Sequence, residues 1–137
     1  MFWPKSHSCY EWCSVEVSYL SLMLVSYALT VVIETAVLLV GLSTRHALRV
    51  RVFAGVWLSA CTYPAVWLVL PPLFEERWVF LLVAEIFAPV AECILFWFAF
   101  IRQRPLEPRA TARDLLAIIV ANLGSFGLGE LIDTVGF

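Results

Sequence analysis

The sequence predicts an all-α, polytopic membrane protein: four transmembrane helices in a bundle, with both termini extracytoplasmic. Three observations predict it. Of 137 residues, 62% are hydrophobic and 15% are charged, against about 45–50% apolar and about 25% charged in an ordinary soluble domain. The apolar residues gather into four uninterrupted runs, each near the length of about 20 residues that carries a helix across a bilayer. The runs are continuous rather than alternating in short segments, which argues against a membrane β-barrel. A net charge of −2 offers no basic surface for nucleic acid.

The elements follow in order. Residues 1–16, beginning MFWPKSHSCYEWC, read as an extracytoplasmic interfacial segment, because Phe2, Trp3, Tyr10 and Trp12 suit the headgroup level. The stretch lacks the basic start, short apolar core and small-residue cleavage site of a signal peptide. Cys9 and Cys13, four residues apart on the oxidising side, are candidates for a local disulfide. His7 beside them makes three metal-ligating side chains without a fourth, short of a zinc set, so no metal is expected. The transmembrane domain then spans 17–133, with helices at about 17–42, 52–70, 78–101 and 114–132. The connections STRHALRVR, PPLFEER and RQRPLEPRATAR hold most of the charge. No repeat or separate soluble domain is visible.

Basic residues set the threading. Arg45, Arg49 and Arg51 follow the first helix, and Arg102, Arg104, Arg109 and Arg113 follow the third, while only Lys5 and Arg77 lie on the opposite side. The positive-inside rule then places the two Arg-rich loops in the cytoplasm and both termini outside, in a bacterial-type inner membrane. The loops themselves read as orientation signals and headgroup contacts.

Acids inside the spans need explanation. An ionisable group at mid-membrane costs at least about 2.5–3.5 kcal/mol on insertion scales, so it has a partner or a purpose. Glu34 interrupts the first helix, and Glu85 and Glu92 interrupt the third, in VAEIFAPVAEC. None has a basic residue in its own span. Glu85 and Glu92 share a helix face, and Pro89 between them removes the amide that the Glu85 carbonyl would accept from. At 1.5 Å per residue, Glu34, Glu92 and Asn122 all lie roughly 12–13 Å from the cytoplasmic ends of their helices. Thr62 and Tyr63 lie slightly deeper, and Glu85 lies nearer the outside. Ser18, Ser26, Thr30 and Glu34 form a polar stripe on the first helix, expected to face inward. On the fourth, Ala117, Ala121, Ser125 and Gly129 recur every four residues, a small-residue ladder suited to close helix contact. Gly124 and Gly127 add flexibility or further close contact.

Catalytic and cofactor chemistry finds no footing. No Lys lies in a span, the two histidines flank the spans, and no phosphate-binding loop, serine-hydrolase elbow or zinc-protease motif is present. The chain is therefore expected to be no enzyme and to carry no cofactor. Two functional readings remain. In the first, Glu34, Glu85, Glu92 and Asn122, supported by Thr30, Thr62, Tyr63 and Pro89, form a proton or cation pathway in an oligomeric transport or channel component. In the second, the chain is an accessory subunit of a larger membrane complex, and its acids pair with partner helices. Beside the simple alternative of neutral carboxyls hydrogen-bonded to neighbouring helices, intramembrane acids are functional candidates by default. The expected partners are the lipid bilayer, further copies or other membrane subunits, and protons or cations.

Overall fold

A computed structural model describes the backbone of residues 9–135 and the side chains of 18–132 and 134. It contains four long helices, each with a stretch long and apolar enough to cross a membrane, and no strand among the described residues. Helix α1 spans Cys9–Gly41 and α2 spans Leu48–Pro64. α2 continues through a π-helical turn, Ala65–Val69, and a 3₁₀ turn, Pro71–Leu73. α3 spans Arg77–Phe96, runs into a second π-helical turn at Trp97–Ile101, and is followed by α4, Pro108–Val135. The side chains of Cys9 and Cys13, the candidate disulfide, lie outside the described residues, as does residue 7.

Three helices begin earlier than the apolar runs. α1 starts at Cys9, although the apolar run in the sequence opens only at about residue 17. α2 starts at Leu48, so Arg49 and Arg51 ride its first turn instead of lying in a loop. α4 starts at Pro108. Proline suits the first position of a helix because the amide it lacks has no intrahelical partner there. Four of the five residues of the following RATAR, Arg and Ala, are strong helix formers. Hydrophobicity marks where a helix enters lipid, and these helices continue past that boundary.

Neighbours form a closed ring: α1 packs on α2 and α4, and α3 packs on α2 and α4. Two close approaches fix α1 in the ring. A Cβ on Gly55 would collide with Thr35, 2.8 Å from its Cα, and a Cβ on Gly41 would lie 2.7 Å from the Cβ of Ala117. The Gly41 contact falls on Ala117 of the α4 ladder, and the Gly55 contact lies outside it. Of that ladder, Ala117 and Ala121 are buried and Ser125 is half-buried. Gly129 departs from the expected close contact: a Cβ there meets nothing within 4 Å, and the same holds for Gly124 and Gly127. The helices have separated by that level, and Gly129 borders a cavity.

The molecule accordingly divides along its length. Toward the α1–α2 loop lies a packed core containing Leu38, Leu42, Leu58, Phe96, Ile118 and Ala121. Toward the α2–α3 loop the same four helices enclose open space. Ala121→Leu inserts bulk into the packed half and is expected to destabilise by about 1–3 kcal/mol. Gly129→Leu meets open space and is expected to stay within about 0.5 kcal/mol of wild type. Thermal unfolding in mild detergent checks both, and equal losses for the two would contradict this division.

Candidate functional site

The boundary between the packed and open halves is a polar layer to which all four helices contribute. Glu34 on α1 and Glu92 on α3 are 3% and 2% exposed, so their carboxyls depend on donors from the chain itself. Ser59 Oγ on α2 lies 2.5 Å from Glu34 Oε2, and Ser125 Oγ on α4 lies 2.9 Å from Glu34 Oε1. Thr62 Oγ1 on α2 lies 2.8 Å from Glu92 Oε1, and the Asn122 amide on α4 donates to Glu92 Oε2 at 2.7 Å. Each acid thus receives one partner from α2 and one from α4, its two ring neighbours. Four of the residues singled out in the sequence, Glu34, Glu92, Asn122 and Thr62, meet here. Ser125, assigned there to the packing ladder, serves a carboxyl instead, and Ser59 was not singled out.

Three hydroxyls in the layer each touch two acceptors. Ser59 Oγ also lies 2.8 Å from the Gly55 carbonyl, Thr62 Oγ1 3.1 Å from that of Leu58, and Ser125 Oγ 3.0 Å from that of Asn122. A hydroxyl has one proton to donate. When the carboxyl is ionised, the hydroxyl proton points to it. When the carboxyl is protonated at that oxygen, its O–H donates to the hydroxyl oxygen, and the hydroxyl proton turns to the helix carbonyl. Both states fit the same heavy-atom positions. Asn122 needs no such choice, because its two amide protons serve Glu92 and the Ile118 carbonyl, the latter at 3.1 Å, at once.

Above this layer lies a cavity of about 420 Å³. Glu34, Glu92, Ser59, Thr62, Asn122 and Ser125 form its floor, and the exposed Glu75 and Arg77, with Glu130, line the end at the α2–α3 loop, which we take as its mouth. Thr30, Tyr63, Glu85 and Pro89 line the walls between. Glu85, half-buried, stands two helical turns above Glu92 on the same face of α3. Tyr63 stacks on Trp67 with ring centroids 5.7 Å apart, and Tyr27 lies 5.2 Å from Tyr63. Trp67 belongs to the π-helical turn after Pro64, and its carbonyl accepts the Tyr19 hydroxyl at 2.9 Å. A π turn frees backbone groups from the regular ladder, and here a side chain from α1 takes one up.

A second buried polar cluster closes the opposite end of the helices. Asp114 on α4 is fully buried. Its Oδ1 accepts the Ser43 amide at 2.6 Å, and its Oδ2 accepts the Ser43 hydroxyl at 3.1 Å and Arg45 Nε and Nη2 at 3.0 and 2.6 Å. His46 Nε2 lies 2.9 Å from the same Oδ2, and Arg45 also reaches the Thr111 hydroxyl. Arg51 donates to the carbonyls of Leu39, Ser43 and His46, Arg113 to those of Gly41 and Val40, and Arg104 to that of Arg45. The Arg-rich loops were expected to act as orientation signals and headgroup contacts. Beyond that expectation, Arg45, Arg51, Arg104 and Arg113 satisfy backbone carbonyls and Asp114. Cations also suit the carbonyl end of α1, where the helix dipole is negative. The sequence held a signal for this cluster, an isolated Asp in the Arg-rich approach to α4, but it reads as an ordinary helix start.

His46 itself is buried, edge-on to Phe96 with centroids 5.3 Å apart. Its Nδ1 is buried without a hydrogen-bond partner, so the proton of the neutral ring belongs on Nε2, facing Asp114. Burial pushes its pKa below the ordinary value; Asp114 pulls the other way, and Arg104 and Arg45 add to the lowering.

The chain matches no family model, no characterised protein and no solved structure. Its site is therefore read from its own chemistry.

A lowered histidine pKa makes stability depend on pH. Between the folded-state value and about 6.5, the unfolded chain binds more protons than the folded one, so stability falls as pH drops through that window. The melting temperature of the wild type is expected to fall further than that of His46→Gln on going from about pH 7 to about pH 5. Parallel curves for the two proteins would place the acid sensitivity elsewhere.

Proposed function

We propose that the chain is an integral membrane protein acting in transport, and that Glu34 and Glu92 are the carboxyls through which it takes up protons or cations. In this reading the four helices form a transmembrane bundle with both termini extracytoplasmic and the Arg-rich loops in the cytoplasm. The cavity then opens outward. The observation that carries the reading is a pair of buried carboxyls, with no base beside them among the described residues, on the floor of a cavity of about 420 Å³. Intramembrane acids facing such a space mark ion and proton routes more often than they mark structure. Hydroxyls that can serve either protonation state without moving heavy atoms make the pair suited to loading and releasing protons. Below the floor the packed core and the Asp114 cluster block passage, which favours a gated route over a standing pore.

The alternative, an accessory subunit whose acids pair with partner helices, draws less support. Glu34 and Glu92 point into their own chain and already receive two partners each. Particle size in mild detergent separates these readings further: a defined monomer or symmetric oligomer of the chain alone suits transport, and aggregation without a partner suits the subunit role.

Glu92→Gln keeps shape and hydrogen-bonding capacity and removes the titration. It is expected to leave folding and assembly intact while abolishing proton or cation flux in reconstituted vesicles, and Glu34→Gln is expected to do the same. Flux unchanged by both substitutions, in a preparation shown to be active, overturns the proposal.

Threading is tested by cysteine labelling in a background lacking the four native cysteines. Thr44 and Glu76 are exposed in opposite loops, whereas Ser43 is buried against Asp114 and reports on neither side. Glu76→Cys is expected to react with an impermeant thiol reagent in intact cells and Thr44→Cys to be protected. The reverse pattern inverts the topology.

A further inference from the structure

Resting on the transport reading, we infer that the cavity binds a hydrophobic organic cation, an amine or ammonium compound with an apolar body. Three features of the cavity select that chemistry. The first is size. A cavity of about 420 Å³ falls within the range of about 300–1,000 Å³ that holds small organic ligands. A bare inorganic cation would settle at the floor and leave almost all of that space unused.

The second is the wall. Tyr19, Tyr63, Trp67, Phe80 and Phe126 line the cavity, together with aliphatic side chains and Pro89. Such walls bind apolar bodies, and aromatic rings also attract a cation through their negative faces. A strongly hydrated ion gains little from them.

The third is the floor. An ionised carboxylate offers about four acceptor positions. Glu34 and Glu92 each use two on chain donors, so both keep acceptor capacity for a ligand. Among the described residues no Lys, Arg or His lines the floor, and the one basic residue lining the cavity, Arg77, stands at the mouth, 3.6 Å from Glu130. An anion would find nothing to pair with below the mouth, and a neutral apolar molecule would leave two carboxyls unanswered. Glu85, on the wall between mouth and floor, extends the acidic path along which a cation descends. When the cation docks, the proton held by the floor carboxyls departs through the cavity to solvent, so binding and proton release are linked.

The test uses the full chain in lipid nanodiscs with tritiated 2-phenylethylamine, read by scintillation proximity. The expected result is saturable binding that the neutral analogue 2-phenylethanol displaces at least about tenfold more weakly than unlabelled amine does, a difference of about 1.4 kcal/mol. Glu34→Gln/Glu92→Gln is expected to weaken binding by a similar factor. Gly129→Trp, where a side chain meets open space beside the cavity, leaves the carboxyl layer untouched and is expected to weaken binding as well. Equal displacement by the alcohol, displacement by sodium chloride as effective as by the amine, or full binding in both variants overturns the inference. Proton flux that the amine neither drives nor inhibits also removes it while leaving the transport reading standing. Amine binding in a preparation that carries no flux supports the ligand class and removes transport.

Discussion

Burying Glu34 and Glu92 in an apolar layer costs at least about 2.5–3.5 kcal/mol each on insertion scales, and that cost dictates what their neighbours must be. Neither acid has a base within reach among the described residues, so neutralisation by an ion pair is not the solution seen there. The chain instead brings a hydroxyl from α2 and a hydroxyl or amide from α4 to each carboxyl. These bonds set the rotation of every helix. Turning α2 by one residue would remove both Ser59 and Thr62 from the layer, since they lie three apart on one face. The same holds for Asn122 and Ser125 on α4. A polar requirement at two points thus specifies the packing of four helices more sharply than their uniformly apolar surfaces would.

Asp114 applies a comparable constraint at the other end, by different means. Its partners are a guanidinium, an imidazole, a hydroxyl and a backbone amide, all from the loop joining α1 to α2. Loops seldom hold a fixed shape without such anchoring. With α1's last carbonyls capped by Arg51 and Arg113, the end of α1 is tied both to the start of α2 and to the start of α4. Removing one partner of a buried charged pair costs about 3–5 kcal/mol, so the cluster holds this end shut. Among the described residues the open half shows no equivalent cluster. Its outer ion pair, Arg77 with Glu130, is 3.6 Å long and largely exposed, and such pairs are worth about 0–1 kcal/mol.

Much of this was legible before the structure, and the rest was hidden for identifiable reasons. A glutamate in an apolar run is conspicuous, and counting residues from the helix ends brings Glu34, Glu92, Asn122 and Thr62 to similar depths. Ser59 and Ser125 were less visible because serine in a membrane helix serves equally as a small packing residue. The glycines mislead for a related reason. Sequence alone does not separate Gly41 and Gly55, pressed against neighbouring helices, from Gly124, Gly127 and Gly129, which face open space. Asp114 and its partners sit about seventy positions apart in the chain, so no local period connects them. The loop arginines obey the positive-inside count whether or not they also cap a helix, and that count conceals their structural work.

The helix irregularities complete the picture, because they are unevenly distributed. Pro64 with its π-helical turn, Pro89, and the π-helical turn at Trp97–Ile101 all fall on α2 and α3. Kinks and π turns loosen a helix locally, since each removes regular backbone hydrogen bonds. Within their described spans α1 and α4 carry no such break, and they are joined by the Gly41–Ala117 approach, the Ser125–Glu34 bond and the clamp on Asp114. On the proposed reading, this asymmetry assigns the two pairs different tasks. α1 and α4 keep the register of the carboxyl layer. α2 and α3 hold two of the three hydroxyls and the second carboxyl on segments interrupted by prolines, so a change in protonation at Glu92 acts on the more compliant side of the cavity. A route past Leu58 and Phe96, core residues contributed by that same compliant pair, then opens at less cost than one that would have to separate α1 from α4.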